Sequence, residues 1–261
     1  MRAGAKNFRL GSWAAEWLSL RVIGAFLNAT GILLGSLFGL ARRGPPSVRA
    51  QVFFRNAIGA FTVFFALHLV WLSVNGTFLS CLKQIVLALF AILLGNLLGK
   101  LLGLQKMSNR LGRYATRLLS SADTDSPRKM ADGFCACTIL FWAAPLGLLG
   151  AVADGLSGYY YLLAAKGVMD GLAMTSFVRM FRWPAAMSAI PVFALLGFIT
   201  LVCQLYAKPF LETRQLVDSV NAAAGLAACA VALVIFEVRK VELANYLPSL
   251  AIAPLLASLL K

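Results

Sequence analysis

The sequence predicts an all-α, polytopic transmembrane helix bundle of about eight spans, with seven as the alternative count. Three observations predict it. Of the 261 residues, 60% are hydrophobic and only 13% charged, where a soluble domain has about 45–50% and about 25%. The apolar residues come in runs close to the roughly 20 that a helix needs to cross a bilayer. The Lys and Arg responsible for a net charge of +14 sit mostly between those runs. The organisation is therefore a basic interfacial segment, 1–21, and a transmembrane domain, 22–261. No reading motif accompanies the positive charge, so nucleic acid is not an expected partner; the lipid bilayer and its anionic headgroups are.

The N-terminal lead carries Trp13 and Trp17 and reads as a segment lying on the membrane surface. The first span is expected over 22–41. Gly31, Gly35 and Gly39 recur every fourth residue there, which smooths one face for a neighbouring helix. Pro45-Pro46 stops it. The second span, 57–74, holds the chain's one histidine, His68, read as a satisfied interhelical residue, and ends at an Asn75-Gly76 turn. The third, 85–104, repeats the device with Gly95, Gly99 and Gly103; ILLGSLFGL at 32–40 and ILLGNLLGK at 92–100 suggest a weak internal repeat. Residues 105–119 are expected to form an amphipathic surface helix with Leu111, Tyr114, Leu118 and Leu119 facing lipid.

The fourth span, 131–153, contains Pro145, Gly147 and Gly150 and runs into Asp154-Gly155. The link after it carries Tyr159, Tyr160 and Tyr161, an interfacial aromatic belt. The fifth span is 162–177, the sixth 185–205, the seventh 220–236. The last segment, 248–260, is short for a crossing and broken by Pro254. The basic residues concentrate in alternate connections, Arg42, Arg43, Arg49 and Arg55; Lys106 to Lys129; Arg179 and Arg182; Arg239 and Lys240, against none to two in each of the others, counting edges such as Lys83. Those connections are expected on the cytoplasmic side, with both termini outside.

The fifth span carries the chemistry. It reads LLAAKGVMDGLAMTSF, and its Lys166 and Asp170 are four apart, hence on one helical face. An ionised side chain at that depth costs roughly 2.5–3.5 kcal/mol and marks a functional site by default. A proline-broken helix beside a charged one is the usual form of an ion or solute site in a transporter. The candidate binding residues are Asp170, Lys166, Asp154, Pro145 and Asn28. Asp154 and Asp170 would carry charge for a cation or proton, Lys166 would hold them or an anionic solute, and Pro145 would free carbonyl oxygens. Cys81, Cys135, Cys137, Cys203 and Cys229 lie in apolar stretches without redox or zinc spacing. Neither metal nor cofactor is expected.

Four stretches carry a family resemblance: IGAFLNATGILLGSLFGL at 23–40; Pro145, Gly150 and Asp154-Gly155; Lys166-Gly-Val-Met-Asp170-Gly171; and VELANYLPSLAIAPLL at 241–256. In this order, over most of the chain, they resemble the uncharacterised bacterial membrane-protein family known as domain of unknown function 554. The resemblance implies a transporter-sized, multi-pass bundle in the bacterial inner membrane and supplies no substrate. The chain departs from the family pattern at Trp142-Ala-Ala-Pro145, Ala151 and Tyr159, which thins the polar groups around the proposed site.

The expected function is a secondary transporter or permease for an ion or small solute. The alternative is a structural or accessory membrane protein whose buried Lys/Asp pair only fixes helix packing. No HExxH, Gly-x-Ser-x-Gly or intramembrane-protease motif is present, and the single histidine, read as a packing residue, speaks against a Ser–His system, so an enzyme is not expected. A homo-oligomer joined through the Gly31/Gly35/Gly39 or Gly95/Gly99/Gly103 face is the expected assembly.

Overall fold

The computed structural model describes residues 22–41, 44, 47–120 and 127–259; the 1–21 segment, Arg42, Arg43 and Pro45-Pro46 lie outside them. The regular elements among them are helical. They are α1 (Ile23–Ala41), α2 (Val48–Leu72), α3 (Phe78–Leu101), α4 (Leu104–Ser120), α5 (Pro127–Trp142), α6 (Pro145–Ser157), α7 (Tyr161–Ala186) and α8 (Ala189–Val202). A π-helical turn (Cys203–Ala207) joins α8 to α9 (Lys208–Glu212), followed by α10 (Val217–Ile235), a 3-10 turn (Leu243–Tyr246) and α11 (Ser249–Leu259). Five helical stretches among the described residues are long and apolar enough to cross a membrane, Ala189–Glu212 counting as one, or six if the bent pair α5–α6 is one span.

Polarity is distributed as a bilayer requires. Phe26, Leu34, Phe64, Trp71 and Leu93 face outwards, while Asn28, Ser36, Thr62, Asp154, Lys166 and Asp170 are buried. With no water in hydrocarbon, polar groups must be satisfied by the bundle itself.

Local chemistry extends two helices past their apolar runs. α2 begins at Val48, not near 57, because Ser47 caps it, its Oγ accepting from the Ala50 N–H at 3.3 Å. Arg55 on this extension pairs with Glu237. Gly76 takes φ +112° in the turn before α3, and Gln84 ties that turn to Asn75 through two hydrogen bonds of 3.1 and 2.9 Å. The fourth span is two helices meeting at 58°. Pro145 is the first residue of α6 and has no N–H to offer the Phe141 carbonyl. α7 runs past 177, but its geometry breaks at Arg182 (φ 59°, ψ −151°), just before Trp183-Pro184.

α7 is the axis of the fold. α1 runs parallel to it along a seam of small residues. A Cβ on Gly31 would strike the Gly167 backbone, on Gly35 the Gly171 carbonyl, and on Gly39 Thr175. In return, a Cβ on Gly167 would lie 2.9 Å from the Asn28 Cα and one on Gly171 2.5 Å from the Gly31 carbonyl. The α5–α6 pair runs antiparallel to α7, with Gly133 against Phe181, Gly147 against Lys166 and Gly150 against Leu163. One apolar core, including Ile32, Phe141, Met174, Val178, Phe181 and Leu196, fills the space among α1, α5, α7 and α8. A second joins α2, α6, α7 and α10 through Leu69, Leu149, Leu162 and Ala227.

The other glycine face is used differently. Gly95 packs against Ser249 and Gly99 against Asn245, so α3 lies antiparallel to the 3-10 turn and α11. Gly103 is not part of this face: with φ +66° it terminates α3. Both faces are thus filled from within the chain. This corrects the expectation that they join a second copy, since a backbone already occupies the approach. The amphipathic α4 packs on α5, and Leu119 contributes to the first core rather than facing lipid. Tyr159 is buried, correcting its place in an aromatic belt. Its hydroxyl donates to the Phe65 carbonyl at 2.7 Å, leaving His68 Nδ1 to donate to Tyr159 Oη at 3.1 Å.

Candidate functional site

α7 holds its two charges where a helix normally holds none. At about 1.5 Å per residue, Asp170 lies about 13 Å from the start of α7. Lys166 is 1% exposed and Asp170 7%. The Lys166 ammonium donates to Asp170 Oδ2, and the two form an i,i+4 ion pair. The same Oδ2 accepts from Asn28 Nδ2 on α1 at 2.9 Å. Asn28 reaches it because Gly167, next to Lys166, has no side chain to hold α1 away. The α7 sequence thus alternates function and fit: each charge is followed at once by a glycine that lets α1 close on it.

The lysine stem has its own groove. A Cβ on Gly147 would lie 2.9 Å from Lys166 Cε and 3.3 Å from its Cδ. The first turn of α6 therefore touches the charged residue directly, next to the bend at Pro145. Pro145 itself does not join the cluster; it lines an apolar pocket of about 230 Å³ with Trp142, Leu148, Leu195 and Leu247.

Asp154 lies one α1 turn further towards the start of α7. Its Oδ2 accepts the Gly24 N–H at 3.0 Å. Gly24 is in the first turn of α1, where N–H groups lack helical partners and the dipole favours an anion. Asp154, 3% exposed, is therefore a cap supplied to α1 by α6. Gly24 must be glycine here, since a Cβ would fall 2.6 Å from Leu163 Cδ1 and 2.8 Å from the carboxylate.

The structure thus brings Lys166, Asp170 and Asn28 into direct contact, sets Asp154 one turn away along the same α1 face, and leaves Pro145 as the residue that shapes the approach. Gly24, Gly147 and Gly167 complete the site. Of these, the residues after Lys166 and Asp170 carried a readable signal, because Gly167 and Gly171 repeat the four-residue spacing of Gly31 and Gly35. Gly24 carried none. Two buried oxygens at the site have no hydrogen-bond partner, Asn28 Oδ1 and Asp154 Oδ1. Among the described residues no three His, Cys, Asp or Glu side chains gather as metal ligands.

Comparison with known proteins agrees with a membrane bundle of this kind. The chain is 24% identical over 233 residues to the uncharacterized membrane protein YdfK of Bacillus subtilis, covering 89% of this chain and 94% of that one. It is 29% identical over 235 residues to the uncharacterized protein YqgA of Escherichia coli, with the same shares covered. No solved structure matches it. The match of a family model to residues 23–258, almost the whole described bundle, places the protein: the chain belongs to the family described as Protein of unknown function (DUF554).

Proposed function

We propose that this protein is a secondary transporter or permease for an ion or small solute, with its binding site where Lys166, Asp170 and Asn28 meet. The observation that carries this reading is the buried ion pair in the first half of α7, gripped by a polar side chain from a second helix. Holding charge there is costly, and the bundle has shaped two neighbouring helices around it with glycines. The bend between α5 and α6 supports the same reading, because transporter sites favour interrupted helices at their edge.

The membrane arrangement belongs to this proposal. Counting α5–α6 and α8–α9 as one crossing each, and α7 and the 3-10 turn with α11 as crossings, gives eight. The antiparallel pairs α2/α10 and α3/α11 and the parallel pair α1/α7 agree with that alternation. The basic connections then share one side, the cytoplasmic face of a bacterial inner membrane. An enzymatic role is not part of the proposal.

A structural reading has one specific observation in its favour: Asp154 already serves as a helix cap and Lys166 as a counter-ion. Reconstituted vesicles separate the two readings. Candidate solutes come from a thermal-shift screen of the purified protein, since a ligand of the folded state raises its stability. Transport predicts that Asp170→Asn abolishes flux of a hit while the protein still folds. Flux untouched by Asp170→Asn would leave the pair a packing device only.

A further inference from the structure

We infer that the ligand of this site is a small monovalent cation; the inference rests on the transport-site reading above and deepens it. The argument is a count of donors and acceptors. The site has three donors: the Lys166 ammonium, the Asn28 amide and the Gly24 N–H. All three are already directed at carboxylate oxygens, the first two at Asp170 Oδ2 and the third at Asp154 Oδ2. An anionic solute would have to draw on the remaining N–H groups of Lys166 and Asn28, whose nitrogens already serve a carboxylate. The buried atoms of the site that lack any partner are both acceptors, Asn28 Oδ1 and Asp154 Oδ1. The Asn28 amide cannot be turned to exchange them, because its oxygen would then face Asp170.

Charge points the same way. The Lys166 ammonium faces Asp170 alone, and Asp154, one turn away, has the Gly24 N–H and no cationic partner of its own. Gly24 and Asn28 are four apart on one face of α1, so the residues that carry the two unmet oxygens meet α1 about one helical turn apart. An all-oxygen set with a net single negative charge suits a hard monovalent ion. Transition metals favour imidazole or thiolate, and no such group of three assembles among the described residues. Calcium would require six to eight oxygens.

Lys166 then has a definite part. Its ammonium is the resident cation on Asp170, and an incoming ion competes with it. The groove over Gly147, in which the stem lies, is the track along which the lysine withdraws. Removing the lysine charge should therefore strengthen cation binding, the reverse of what a packing role predicts.

The test uses the full chain in detergent. Thermal unfolding is followed in lithium, sodium and potassium chloride against N-methylglucamine chloride, at fixed pH and ionic strength, and again with gluconate as anion. One alkali cation is expected to raise Tm saturably by a few degrees whichever anion is present. The rise should vanish in Asp170→Asn, weaken in Asp154→Asn and half-saturate at several-fold lower concentration in Lys166→Gln. A shift that follows the anion, one that survives Asp170→Asn, or none in either wild type or Lys166→Gln would overturn the inference. Vesicle flux separates it from the transport reading: saturable cation binding without flux supports the site and overturns transport, while solute flux with no cation effect on Tm does the opposite.

Discussion

The α1–α7 and α3–α11 contacts are built on the same glycine spacing and put it to different uses. Gly31, Gly35 and Gly39 bring α1 against a helix running the same way, with a lysine and a carboxylate beside the seam. Gly95 and Gly99 bring α3 against a segment running the opposite way. The polar groups at that second contact are gathered at its end, where they clasp one another. The Gln105 N–H donates to Asn245 Oδ1, the Ala244 N–H to Gln105 Oε1 and Asn245 Nδ2 to Glu242. Asn96 Oδ1 is unpartnered there too, but Glu242 is at the end of the contact and carries a hydrogen bond from Asn245. Small residues at helical spacing state how closely two helices approach. What the contact is for is decided by the charges placed beside it.

The sharpest way to break this comparison is to fill both seams. Gly35→Leu drives a side chain into the Gly171 carbonyl on the central helix and should cost on the order of 5 kcal/mol, seen as loss of the monodisperse peak in size-exclusion chromatography. Gly99→Leu should instead release only the C-terminal segment, giving early proteolysis beyond Glu237 around an intact remainder. Equal global collapse in both variants would erase the distinction.

Next in size is the ion pair. Lys166→Met and Asp170→Leu should each cost about 3–5 kcal/mol by leaving a buried charge alone, and the double variant should recover most of that, measured by thermal unfolding. On the other seam, Asn245→Ala should cost about 1–2 kcal/mol by opening the end clasp and leave any cation-dependent Tm shift untouched. Smallest is Arg55→Gln. Its pairing with Glu237 joins side chains 38% and 68% exposed, so its loss should change stability by less than about 1 kcal/mol.

How much of this was readable depends on range. Lys166 and Asp170 stand out because every neighbour is apolar, and their mutual contact follows from helical spacing alone. The glycine faces were readable as faces; their partners were not, because α1 meets α7 across more than a hundred residues of chain. Asn28 illustrates the limit: its polarity in a span was visible, its target, 142 residues away, was not. Asp154 was readable as a residue near a helix end, but not as the cap of a different helix. Pro145 announced a break, while the 58° bend and the use of Gly147 as a lysine groove depend on tertiary packing. The long start of α2 was missed because Arg49 and Arg55 mask a helix that a serine cap and an ion pair sustain outside the apolar run.

The α1–α7 seam also restricts how the molecule can move. Backbone meets backbone at successive four-residue steps, so the two helices mesh like racks of matching pitch. Small slips are blocked, and the smallest allowed displacement is a full turn, about 5.4 Å. Such a jump would carry Asn28 off Asp170 to the level of Lys166 or Met174 and dismantle the cluster. α1 and α7 are therefore locked together as a single mast.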